Sequence, residues 1–97
     1  MRHAIHPEAD EEFAQAVRYY AEIAPDLGAR FYREMERLIR DVCADPQRYR
    51  MIDPPVRRHL SPDFPYALIY LEKPDCVWIV AVMHLKRRPG YWRERLA

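Results

Sequence analysis

Pro65-Tyr66-Ala67-Leu68-Ile69-Tyr70-Leu71, then Glu72-Lys73-Pro74-Asp75, then Val77-Trp78-Ile79-Val80-Ala81-Val82-Met83, is the stretch that decides the fold. The two outer runs are apolar at successive positions rather than at alternate ones, which describes strands buried on both faces or nearly so. The charged segment between them, broken by Pro74, is a turn, so the pair reads as a β-hairpin. Just upstream, Val56–Leu60 alternates weakly and is polar enough for a partly exposed strand.

Further toward the N-terminus the period changes. Ala9, Phe13, Ala16, Val17, Tyr20 and Ala24 recur at helical spacing, so a first helix runs to about Ile23. Pro7 suits its first turn, where the missing N–H costs nothing. Glu8, Asp10, Glu11 and Glu12 put negative charge at the positive end of the helix dipole, and Asp10–Glu12 reads as a solvated first turn. Ala24-Pro25 ends this helix. Asp26 is expected as the N-cap of a second one, with Phe31, Met35, Leu38, Ile39 and Val42 on its apolar face and Arg33, Glu34, Arg37, Arg40 and Asp41 in solvent. Asp45-Pro46 stops it, because a residue before proline avoids helical angles. A link of three or four residues makes the helices an antiparallel hairpin whose two apolar stripes share a sheet as floor, with Leu68, Ile69 and alternate residues of Val77–Met83 expected beneath the helices. Arg2–His6 is long enough for one short strand. The expected order is β-α-α-β-β-β, an α+β domain spanning residues 1–97, with the helical hairpin on one face of a mainly antiparallel sheet.

Composition limits the function classes. Charged residues make up 32% and hydrophobic ones 49%, the balance of a globular domain rather than a disordered tail. The longest apolar run, Val77–Met83, is far short of the ~20 residues of a membrane helix. No apolar signal core precedes the acids at the N-terminus, and Cys43 and Cys76 have neither metal-ligand nor redox spacing, so a reduced, cytoplasmic protein is expected. His3 and His6, three apart on a strand, face opposite sides and lack a Cys, Asp or Glu to complete a metal site; no cofactor is expected. The net charge of +1 hides a division: residues 1–45 hold six Arg against ten Asp/Glu, and residues 46–97 hold ten Lys/Arg against five Asp/Glu. The second half therefore suits an anionic partner, unless the two halves neutralise each other across the fold.

An ordered set of marks covers nearly the whole chain: His6-Pro7, Tyr19-Tyr20, Gly28 with Arg30-Phe31, Asp45-Pro46, Val56-Arg57-Arg58, Phe64-Pro65-Tyr66 with Tyr70, and His84 with Arg87-Arg88-Pro89. In this order the chain resembles the ParE/RelE superfamily of type II toxins. The resemblance implies a growth-inhibiting toxin held inactive by a cognate antitoxin, whose flexible segment wraps the helical hairpin and sheet. It also implies one of two targets: DNA gyrase for ParE-like members, or messenger RNA in the ribosomal A site for RelE-like endoribonucleases. A non-toxic partner-binding module is a third possibility.

Metal-free RNA cleavage needs a base, a cation for the phosphorane charge and an acid. Arg57, Arg58, His84 and Arg87 are the candidates; Arg57 and Arg58 point to opposite faces of their strand, and the functional reading is a polar cluster on the open face of the sheet in which guanidiniums flank the His84 imidazole. The alternative for Arg57 and His84 is structural, one pairing with an acid from the helices and the other with backbone. Nuclease members often carry an arginine directly before the triplet matching Leu68-Ile69-Tyr70, and this chain has Ala67 there. The ParE-like branch is therefore favoured, without catalysis. Its target-binding surface is expected at Arg87, Arg88, Tyr91, Trp92 and Arg93, since arginine and tryptophan dominate interface energetics. A groove between the helical hairpin and the sheet edge is expected to need an apolar cover, supplied by an antitoxin helix or strand whose acids face Arg57, Arg87 and Arg88. Tyr20 is expected in the core and Tyr19 at its rim.

Overall fold

The computed structural model describes residues 1–96. In chain order it contains β1 (His3–Ile5), α1 (Pro7–Ile23), α2 (Pro25–Ala44), β2 (Arg50–Asp53), β3 (Val56–Leu60), β4 (Tyr66–Glu72) and β5 (Val77–His84), then a single 3-10 turn over Arg93–Leu96. This is the expected α+β architecture with one strand more. Arg50-Met51-Ile52-Asp53 lacks alternation and forms the short outer edge of the sheet, so its sequence carried little strand signal.

Helix α1 begins where His6, at the N-cap, accepts the Glu8 N–H on its Nδ1 at 3.0 Å and Pro7 takes the first helical position. It ends at Ala24, held extended (φ −159°) before Pro25. The same residue is the N-cap of α2, so one residue rather than three or four joins the helices. Asp26 lies within the first turn, and no side chain caps α2. The sharp reversal brings the helices so close that a Cβ on Gly28 would lie 2.7 Å from the Cβ of Ala21. That contact is the reason for glycine here.

The sheet order is β1-β5-β4-β3-β2, with β1 parallel to β5 and every other pair antiparallel. Both helices cover one face. Phe13, Phe31, Met35, Leu38 and Val42 pack there against Leu68, Tyr70, Val77 and Ile79, with Val17 and Tyr20 at the margin. Phe31 meets Phe64 and Tyr66 at ring distances of 5.1 and 4.9 Å, and Tyr20 stacks on it at 5.1 Å. The pair is shifted outward from its expected places: Tyr20 is half-buried at the margin of the core instead of inside it, and Tyr19 is 60% exposed instead of at the rim.

The opposite face is not open. Val56, Ala67, Ile69, Val80 and Ala81 form a second apolar cluster there, closed by Trp92. Ile69, expected under the helices, belongs to this cluster, because adjacent strand residues point to opposite faces. A bulge explains why β5 contributes two successive residues to it. Ile69 pairs with Ala81 and Tyr70 with Ile79, which leaves Val80 as an extra residue and turns Val80 and Ala81 to the same side. Among the described residues no helix is long and apolar enough to cross a membrane.

Candidate functional site

The C-terminal segment that covers the second face is fixed to α1 chiefly through the Glu12 carboxylate, with Glu8 beside it. Glu12 accepts the Val82 backbone N–H at 3.1 Å and the Tyr91 hydroxyl at 2.6 Å. Arg95 donates to both of its oxygens, each at 2.9 Å, and reaches Glu8 at 2.9 Å. Arg95 is further tied to the Val80 carbonyl, and Arg87 lies 3.8 Å from Glu12 while its guanidinium stacks 3.8 Å from the Tyr91 ring centre. Burial, then the hydrogen bond to Glu12, pushes the Tyr91 phenol well above its ordinary range, so it stays protonated and donating. The Glu12 hydrogen bond likewise raises Arg95, keeping its guanidinium charged. Asp10 and Glu11 are exposed as expected, but the Glu12 side chain is only 14% exposed, which corrects the expectation of a solvated turn at that residue. The sequence held a signal for this: Ala9 and Ala16, both buried, lie three residues before and four after Glu12, on its face of the helix.

Glu34 also leaves the solvated face assigned to it and is 7% exposed. It takes two hydrogen bonds from Arg37 and one from the Ser61 hydroxyl at 2.6 Å. The Arg37 bonds hold its carboxyl below the usual range against the opposing pull of burial. Arg37 also reaches Asp41, which meets His59 at 2.8 Å, and His59 stacks on Tyr49. This network fastens α2 to the end of β3.

The four nuclease candidates are not gathered into one cluster. Arg57 donates to the Gln47 and Tyr49 carbonyls, a structural role at the exit of α2. His84 lies over Tyr66 at 5.0 Å, accepts the Lys86 N–H, and shares a groove beside α1 with Glu12, Tyr19 and Arg87. Arg58 is on the other side of the sheet, in a hollow with Leu60, Met83 and Trp92. Only Arg87 borders both. The reason is again strand parity: Arg57 and Arg58 are neighbours on β3 and point apart.

Of the expected target surface, Arg88 and Arg93 are exposed, Tyr91 is half-buried, and Trp92 is 3% exposed. Trp92 thus anchors the tail internally instead of presenting an indole to a partner. The groove expected between the hairpin and the sheet edge exists. It measures about 610 Å³ and is lined by Ile5 of β1, Phe13 and Val17 of α1, and Tyr32 and Ile39 of α2. Its cations are Arg18 and Arg40; Arg57, Arg87 and Arg88 are not on its walls. Among the described residues no cluster of three His, Cys, Asp or Glu is placed to hold a metal.

Comparison with curated proteins gives no match. Residues 4–89 match the family described as ParE toxin of type II toxin-antitoxin system, parDE, a span from β1 through the helical hairpin and sheet to Pro89. The chain belongs to the ParE toxin family of type II toxin–antitoxin systems.

Proposed function

We propose that this toxin arrests growth by binding DNA gyrase in the cytoplasm, not by cutting messenger RNA, and that a cognate antitoxin neutralises it. One observation carries the reading. A phosphodiester cleaved without metal must meet its base, cation and acid within hydrogen-bond reach of one another. Here Arg57 is spent on backbone carbonyls, Arg58 and His84 lie on opposite faces of the sheet, and Ala67 is buried where it brings no cation. A toxin that acts by binding requires only a surface, and Arg87, Arg88 and Arg93 supply exposed cations on a tail docked through Trp92.

The antitoxin segment fits the groove between α1 and α2, where exposed Tyr32 and half-buried Val17 await an apolar cover. Its acids would meet Arg18 and Arg40 there, and Arg87 and Arg88 where the segment continues past α1. Induced expression tests the target: protein-linked DNA breaks with intact transcripts support it, and codon-positioned transcript ends that vanish in His84→Ala refute it. Co-purification of the product of an adjacent reading frame tests the partner, with Val17→Glu expected to break the complex.

A further inference from the structure

We infer that the hollow on the face away from the helices is a docking site for an acidic protein segment that inserts one apolar side chain between carboxylates. The hollow holds about 480 Å³, within the ~300–1,000 Å³ typical of ligand clefts. Its walls include Leu60 and Leu85, which are 43% and 47% exposed, with Met83 half-buried beside them. Two large aliphatic side chains left this open beside one cavity form an apolar seat.

Cations surround that seat. Arg58, Arg87 and Arg93 line it, and Asp53, bound to Arg93 at 3.0 Å, is the one acid among the lining residues described. Arg50 extends the rim: it is the direct cross-strand partner of Arg58, so the two guanidiniums project from the same face. Neither makes an ion pair or a side-chain hydrogen bond among the described residues. Like charges directly opposite on adjacent strands are unfavourable unless an anion lies between them. A carboxylate from a partner relieves that repulsion while its neighbouring apolar side chain enters the hollow.

The same geometry disfavours a nucleic acid strand. Sites for single strands offer exposed aromatic faces on which bases stack. Here the open floor is aliphatic, Trp92 is buried beneath it, and the exposed tyrosines Tyr19 and Tyr32 belong to the helical side. The inference deepens the proposed function, since it rests on the toxin acting through a protein target and names the chemistry of the segment recognised.

Selection of a random peptide library on the immobilised full chain supplies the probe. Enriched peptides should carry Asp or Glu flanking a Leu, Ile, Met or Phe. They should lose about tenfold or more in affinity on Arg58→Glu and on Leu60→Asp, and weaken as salt rises. Leu60 is exposed, and half-buried Arg58 makes no ion pair or side-chain hydrogen bond among the described residues, so both variants should keep the wild-type circular dichroism and melting temperature. Arg30→Glu on α2 should bind as the wild type does. Enrichment of basic peptides, no enrichment, equal loss in Arg30→Glu, or tighter binding of a single-stranded oligonucleotide that Arg58→Glu abolishes would each overturn the proposal. Gyrase assays are a separate readout: failure there with acidic peptides still bound removes gyrase as the target and leaves the hollow.

Discussion

The two faces of the sheet are both buried, but by covers of different kinds. On one face two amphipathic helices bring continuous apolar stripes, and Phe31, Met35, Leu38 and Val42 are wholly enclosed. On the other, a short C-terminal segment brings one large side chain, Trp92, and depends on Glu12, Tyr91 and Arg95 to stay in place. The helical cover makes the core of the molecule. The tail cover is a small docked element whose polar latch substitutes for area. The exposed arginines proposed to meet the target sit on and around the element with the smaller hold.

That contrast sets an order of mutational effects. Phe31→Ala should be largest, at about 3–5 kcal/mol, with Leu38→Ala at about 2–5, both lowering a single cooperative denaturation midpoint. Trp92→Ala should fall at the lower end of the ~3–5 kcal/mol range for such a truncation, because the tail can swing away instead of leaving a void. Hydrogen exchange should then quicken in residues 87–96 while α2 stays protected; equal loss of protection in α2 would erase the distinction between the covers. Glu12→Gln removes the charge that Arg95 and Tyr91 share and should cost about 1.5–3 kcal/mol, again with exchange rising first in the tail. Tyr91→Phe, which leaves the Arg95 pair, should cost about 0.5–1.5 kcal/mol by denaturation.

The smallest effect is confined to high pH. Tyr70 is buried under the helices, donates to the Pro46 carbonyl at 2.7 Å, and has its pKa pushed up to about 12 by burial. A raised folded value means the unfolded phenol ionises first. The contribution is therefore complete below the ordinary value of 10 and is lost as pH rises through about 12. Tyr70→Phe should flatten stability across that window relative to the wild type.

Much of the fold was legible because it follows from periodicity and breakers: both helices, the hairpin Tyr66–His84 and the stops at Ala24 and Asp45 lie where the pattern put them. The missing strand was an edge with no alternation. The placement of Ile69 failed because a run apolar at every position does not say which residue faces which cover, and the bulge at Val80 shifts the parity further. The site was less legible. The spacing of Ala9 and Ala16 marks the face on which Glu12 lies, but the partners that hold Glu12 and Glu34 are far along the chain, Tyr91 and Arg95 for the first and Ser61 for the second, and no local pattern names them. Arginine beside tryptophan reads as an interface in sequence, and here the tryptophan serves the fold while the arginines stay in solvent.

Purified gyrase offers the most direct test of the central claim. Titrated with the full chain in the presence of supercoiled DNA and ATP, it should accumulate covalent cleavage complexes. Arg88→Ala, an exposed change, should remove this effect without lowering the melting temperature. Gyrase left fully active, together with codon-positioned cutting of messenger RNA on programmed ribosomes by the same preparation, would contradict the account.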